Sequence, residues 1–287
     1  MDEDLTKPDD IRDIKSHYDS KVDEYNKRYF SDRSEYDPAL IVEELLIERI
    51  LELDADRVLD MGCGNGSLVH ALCENGVDAV GFDLSGEMIS AGRSVFEETG
   101  HDPTRLKQAN FKNGVPFEGT FDVVTGLGLF PHLEDTHKHL RVVKDLLNPD
   151  GVALIQFRNA LFNMFSMNRY TYDYVWNTIL SDVDIPSPLR EQFDERLRDA
   201  YRVDGDASGR TPDSDKEGKF HVPMVVKSQF EDAGFDVHET YFYHYHPLPP
   251  EFRAVDEEAY DELSRKVEDP NDWRGYLLAS SFVIEGN

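Results

Sequence analysis

The 287-residue chain has little cysteine, little positive charge and no long apolar stretch. Its two cysteines, Cys63 and Cys73, are too few for a disulfide framework or a four-cysteine zinc site, so both are expected as reduced fillers of small apolar spaces. No apolar run approaches the ~20 residues of a membrane-spanning helix. The start, "MDEDLTKPDD", is acidic and polar, the reverse of a secretory signal, and a cytoplasmic protein is expected. Thirty Lys and Arg stand against 58 Asp and Glu, a net charge of −28. No basic cluster exceeds two or three residues, which argues against a surface that tracks nucleic-acid phosphates.

The acids are spread along the chain, with 34 Asp, 24 Glu, 18 Arg and 12 Lys. This composition resembles that of proteins from salt-loving microbes. Molar salt shortens the reach of self-repulsion to ~3 Å, and a dense carboxylate surface holds water. An ordinary acidic cytosolic protein is the plain alternative.

Hydrophobic residues make up 39 %, enough for a substantial core. "IRDIKSHYDSKVDEYNKRYF" and "PALIVEELLIERILEL" carry apolar residues at helical spacing, the second with Ile41, Leu45, Leu46 and Ile50 on its apolar face. Strand and helix then alternate. Strands are expected at 57–61, 78–83, 105–110, 121–128 and 152–157. Helices are expected at 67–76, at 85–100 with Ser85 as cap, and at 134–151, closed by Pro149 and Gly151. Repeated units of this length imply a doubly wound α/β architecture around a parallel sheet. Residues 158–222 break the rhythm, with an aromatic, helical first part and a polar, glycine-rich stretch over 203–219. A helix at "MVVKSQFEDAGF", a strand at 236–246 and a terminal strand at 276–286 follow, the two strands joined by an acidic, partly helical connection.

The chemistry starts at "VLDMGCGNG", where an acid and three glycines follow a short apolar run. Gly62, Gly64 and Gly66 fall where the first strand turns into the first helix. In an open α/β sheet that end of the strands is where ligands bind, and glycine lets a ligand approach bare backbone N–H groups. Asp83 ends the second strand, seventeen residues after Gly66, where a carboxylate can accept from a ribose diol. An adenosine-containing cofactor is indicated. A dinucleotide fingerprint needs a third glycine at position 67, but the residue there is Ser67.

The observed pattern, D-x-G-x-G-x-G followed by "GFDLSGEMI", resembles the class I S-adenosylmethionine-dependent methyltransferases, as do "FDVVTGLGLFPHL" and "LLNPDGVALI" further on. The resemblance covers about residues 12–157 in good order. It implies a Rossmann-like fold with a seven-stranded, mostly parallel sheet, N-terminal helices and an inserted helical lid. The expected parts are an N-terminal helical cap (1–50), a cofactor-binding core (51–157), a lid or substrate region (158–222) and the remainder of the core sheet (223–287). It also implies S-adenosyl-L-methionine as cofactor. Asp60, Gly62 and Gly64 would hold its amino-acid end and Asp83 its ribose. Met88, Asn110 and Phe111 would lie near the adenine, Asn110 standing where the family usually has Asp. Gly126 and Leu127 would line the sulfonium end. "YDSKVDEY" resembles the family's lid helix, so Tyr18 and Tyr25 would cover the cofactor, helix packing being their other reading.

The activity implied is methyl transfer to a small-molecule acceptor, at oxygen. RNA or protein methylation and a non-catalytic cofactor-binding module are the alternatives, and no Asn-Pro-Pro-Tyr motif of base-amino methylation is present. A hydroxyl acceptor needs a general base, and His132, just after the fourth strand, is the candidate. Arg158 would clamp an anionic substrate group. Each has a structural alternative, a hydrogen-bonded histidine and a salt-bridged arginine. In "YFYHYH" strand alternation puts His244 and His246 on one face and Tyr241, Tyr243 and Tyr245 on the other. Tyr243, His244 and His246 are expected to contact substrate, with His221 a weaker candidate. The two histidines lack an identifiable third ligand, so no metal site is assigned.

Overall fold

A computed structural model describes residues 8–30, 36–202 and 218–287. Most of the polar stretch expected over 203–219 therefore lies outside the described residues. The elements, in chain order, are α1 (Pro8–Asp19), α2 (Val22–Phe30), α3 (Pro38–Glu52), β1 (Arg57–Met61), α4 (Ser67–Glu74), β2 (Asp78–Asp83), α5 (Gly86–Thr99), β3 (Leu106–Gln108), β4 (Phe121–Gly126), α6 (Thr136–Leu146) and β5 (Leu147–Asn159). They continue with α7 (Phe162–Phe165), α8 (Arg169–Tyr174), α9 (Ser187–Tyr201), β6 (Phe220–His221), α10 (Pro223–Asp232), β7 (Val237–Tyr245), α11 (Glu257–Val267), α12 (Gly275–Leu278) and β8 (Ala279–Gly286).

The sheet runs in the order β3-β2-β1-β4-β5-β8-β7, with the two-residue β6 pairing β5 as an eighth strand. The β1–β2, β1–β4, β2–β3, β4–β5 and β5–β6 pairs are all parallel. Strands buried on both faces must be apolar throughout. Val58, Leu59, Val124, Leu154 and Ile155 are accordingly sealed from solvent.

The described residues form two compact units. One runs to Phe157 and adds Met224–Tyr241 and Val283–Asn287; the other comprises Arg158–Pro223 and Phe242–Phe282. In the first unit the core continues through Phe130, Phe157 and Phe230, whose rings meet edge to face. The second has its own cluster of Tyr172, Val175, Trp176 and Leu197.

Several expectations are corrected. The first helical stretch breaks at Ser20 and Lys21 into two helices. On α3 the buried residues are Leu40, Val42, Glu43, Leu46 and Ile50, so Ile41 and Leu45 stand only at the margin. The helix expected over 134–151 starts at Thr136 behind the cap Asp135 and stops at Leu146. The chain is already extended at Leu147, which pairs with Phe121. The register then jumps so that Val123 pairs with Val152, and "NPDG" is an irregularity inside β5, not a turn before it. The terminal strand begins at Ala279, after the turn of helix α12. Helix α9 lies within the region 158–222 expected as a helical lid, beyond its aromatic first part.

Candidate active site

Strand register fixes the first polar pair. Asp60 ends up opposite Thr125 on β4 and opposite Gly81 on β2. Thr125 Oγ1 donates to Asp60 Oδ1 at 2.7 Å. Asp60 is 2 % exposed, and burial pushes its carboxyl up to about 7 against the Thr125 hydrogen bond. The charges that act on it are those of Glu43 and Asp83, both negative.

The glycine turn follows. Gly62, Gly64 and Gly66 all have positive φ (75°, 54° and 75°), a conformation that side-chain-bearing residues rarely adopt. Gly62 N and Cys63 N both donate to Phe82 O, and Gly64 N donates to Asp83 Oδ2 at 3.0 Å. The other Asp83 oxygen accepts from Ser85 N at 2.7 Å. Asp83 is thus clamped between the turn and the start of α5. Burial raises the Asp83 carboxyl despite these bonds. Gly66 caps α4 with no side-chain hydrogen bond, so the first N–H groups of that helix face the turn without a carboxylate or hydroxyl partner of the cap.

Ser67 explains the missing third glycine. Its hydroxyl donates to Glu43, which is 1 % exposed on α3. A glycine there would take the Ser67 donor away from a buried carboxylate, a loss of about 1–3 kcal/mol. Close helix approach is instead provided on α5 by Gly92, where a Cβ would lie 2.2 Å from Asn65 O.

The N-terminal helices meet this turn. Asn65 Nδ2 donates to Asn26 Oδ1 at 3.0 Å, and the Tyr25 ring stands 4.0 Å from where a Cβ of Gly64 would lie. Ser85, which caps α5 by accepting from Met88 N, donates its hydroxyl to Asp19 Oδ1. Tyr18 OH lies 3.0 Å from His132 Nε2, the rings edge-on. His132 ends a short 3-10 turn, Phe130–His132, just past β4. The loop before it is held by Gly128 N donating to Gln156 Oε1, and Leu129 packs against Gly62.

The other expected cofactor residues lie close in sequence to this frame. Met88 is buried in the first turns of α5 and Gly126 at the end of β4, with Leu127 half-buried beside it. Phe111 is buried against the rings of Phe82 and His139. Asn110 Oδ1 already accepts from Lys112 N, capping the turn that carries Phe111.

Arg158, Tyr243, His244 and His246 belong to the second unit. The Arg158 guanidinium stacks 4.0 Å over the Phe220 ring and its Nη1 donates to Gly218 O. The expected alternation of "YFYHYH" is broken at His244, whose φ is +58°. The Glu268 carboxylate compensates by accepting from both His244 N and Tyr245 N. His244 Nδ1 pairs with Ser280 Oγ. His246 Nδ1 pairs with Tyr260 OH, whose proton goes to Leu248 O. Burial pushes the two imidazoles down to about 4 and about 3, so both are neutral at pH 7. Tyr243 is buried, and His221 is also pushed down by burial, to about 4.

Glu43, Asp19 and Thr125 escaped the sequence reading. Glu43 had a signal: with Val42, Leu46 and Ile50 it shares the apolar face of α3. Thr125 had one as well, since pairing β1 with β4 by their apolar runs sets it opposite Asp60.

This turn, clamped acid and strand order define a class I S-adenosylmethionine-dependent methyltransferase. Residues 29–240 match the family model described as a methyltransferase domain, and the chain belongs to that family. It is 28 % identical over 135 residues to the ubiquinone biosynthesis O-methyltransferase of Vibrio parahaemolyticus, covering 46 % of this chain and 57 % of the relative. To the protein of that name from Azorhizobium caulinodans it is 29 % identical over 204 residues, 69 % of this chain and 66 % of the relative. The matched segments thus span less than two thirds of these relatives' lengths. The fold is shared with magnesium protoporphyrin IX methyltransferase from Synechocystis with bound SAH (TM-score 0.55, 13 % identity, 96 % of this chain and 98 % of that one). It is shared equally with the CcbJ methyltransferase from Streptomyces caelestis (TM-score 0.55, 14 % identity, 96 % and 98 %).

Proposed function

We propose that the protein transfers a methyl group from S-adenosylmethionine to a hydroxyl oxygen of a small molecule. The observation that carries the cofactor assignment is electrostatic. The charges of Glu43 and Asp83 raise the proton affinity of Asp60 beside the glycine turn. A pyrophosphate would be repelled there, whereas a cofactor bearing sulfonium and ammonium charge is attracted. The shape agrees at Gly64, where a Cβ would find nothing nearer than the Tyr25 ring at 4.0 Å.

In this reading Asp83 accepts the ribose hydroxyls with the lone pairs not used by Gly64 and Ser85. Asp60, held by Thr125, faces the amino-acid end. Gly126 and Leu127 flank the sulfonium end, and Met88 and Phe111 the adenine. The cofactor supplies a methyl carbon activated by positive sulfur; the protein aligns the acceptor and removes its proton. His132 takes that proton, and Tyr18 fixes the imidazole through its Nε2. The relatives named O-methyltransferases support oxygen as the acceptor atom. No helix of the described residues is long and apolar enough to cross a membrane. The acidic composition supports work in a salty cytoplasm.

Calorimetric titration with S-adenosylmethionine and with NADH, at low and molar salt, tests the cofactor. The sulfonium compound alone should bind, and Asp83→Ala should weaken it by at least about tenfold, more than ~1 kcal/mol. Binding of NADH alone would overturn the assignment. S-adenosylhomocysteine release across a panel of hydroxylated small molecules tests the reaction. Intact cofactor binding with no turnover on any of them would favour a binding module.

A further inference from the structure

A second cluster of chemically able side chains lies on the first unit, away from the glycine turn. His70 and Glu74 are four residues apart on α4 and therefore share a face. His101 comes two residues after the end of α5. Its place is fixed by the left-handed Gly100 and by its own N–H, which donates to Phe96 O at 2.8 Å. Each of the three offers one ligand atom, and the three atoms lie within 4.8 Å of one another. It is the one such group with metal-binding side chains that the described residues contain.

We propose that His70, Glu74 and His101 bind a divalent d-block cation of the zinc type. Two imidazoles and one carboxylate suit zinc, cobalt or nickel, and disfavour magnesium and calcium, which demand oxygen. The surroundings are built for it. The buried Phe96 ring lies beneath both imidazoles, with centroids at 5.4 and 5.9 Å. The Thr99 hydroxyl donates to Val95 O at 2.8 Å, so it accepts from His70 Nε2 and orients that ring. Such outer partners are what hold ligating histidines in position. Glu74 Oε1 already touches His101 Nε2. Both α4 and α5 end here, and two helix C-termini favour positive charge. Tetrahedral ligands at ~2.0–2.1 Å would stand about 3.3 Å apart, a contraction that the exposed Glu74 can make by rotating. Three protein ligands leave a position for water.

The ion would join the far ends of the two helices whose near ends carry the glycine turn and the Ser85 cap. Its expected effect is stability, since it binds the folded chain and not the unfolded one.

The test uses chelator-stripped full-length protein titrated with Co²⁺. One equivalent should bring up visible d–d absorption, which Zn²⁺ then abolishes and Mg²⁺ does not. Zn²⁺ should also raise the melting temperature. His101→Gln and, separately, Glu74→Gln should weaken Co²⁺ binding at least tenfold and remove the Zn²⁺-dependent shift. Both should keep S-adenosylmethionine affinity as proof of folding. Absence of the visible band at one equivalent, or a band of undiminished strength in both variants, would overturn the proposal.

Discussion

Tyr18 on α1 and His132 after β4 are joined by a hydrogen bond of 3.0 Å across 114 residues of sequence. The residue expected to cover the cofactor and the residue expected to act as base are therefore one unit. Tyr18→Phe removes the hydroxyl and keeps the ring. Loss of one such bond is worth roughly 1 kcal/mol, so kcat should fall about fivefold with S-adenosylmethionine affinity little changed. His132→Ala should lower kcat by about 10²–10⁴-fold if it removes the acceptor's proton. Steady-state kinetics against cofactor binding separates the two effects; an unchanged kcat in His132→Ala would remove His132 from the mechanism.

If Asp60 holds the cofactor as proposed, it links cofactor binding to pH. Its folded pKa of about 7 lies above its ordinary value of 3.8, so the folded state holds a proton that the unfolded state releases. Between those two values stability from this group falls as pH rises, being greatest below the unfolded pKa. Thr125→Val removes the hydrogen bond that favours the carboxylate and should carry that fall to higher pH in denaturant titrations. A cationic cofactor favours ionised Asp60, so binding near pH 7 should release up to one proton. Calorimetry in buffers of different ionisation enthalpy reads this directly, and proton uptake would contradict it.

Gly92 has no room for a side chain, because a Cβ would press into Asn65 O. Overpacking of this kind costs about 1–3 kcal/mol. Gly92→Ala should lower the urea midpoint accordingly and, since Asn65 lies inside the glycine turn, weaken S-adenosylmethionine as well. Gly100→Ala, where a Cβ meets open space at φ +84°, should lower stability without touching cofactor affinity.

The charge of −28 makes salt a variable. If the composition is an adaptation, the melting temperature should climb steeply from low salt to 2 M KCl as repulsion is screened. A flat profile would indicate an ordinary acidic protein.

The parallel core was legible because its strands are short apolar runs between helix signals. The edges of β2 and the Ser85 cap were read to the residue, since alternation and cap chemistry coincide there. Less regular places were hidden for physical reasons. "NPDG" has the composition of a turn, yet pairing of Leu147 with Phe121 keeps it within a strand. His244 bends out of alternation because Glu268, 24 residues away, satisfies its N–H and that of Tyr245. The glycines and Asp83 were legible as a candidate cofactor site, and the fold brings Gly64 N onto the Asp83 carboxylate. The burial of Glu43 is legible from its place on the apolar face of α3, but its bond to Ser67 shows only once α3 lies beside α4.

Ser85 starts α5 and grips Asp19 of α1 with the same hydroxyl. Seating of the first helix and filling of the crevice therefore share a joint, and reciprocity follows: whatever strengthens one must strengthen the other by an equal free energy. A protease that nicks the amino-terminal arm should be slowed by the methyl donor, and a chain trimmed to begin at α3 should hold that donor less tightly.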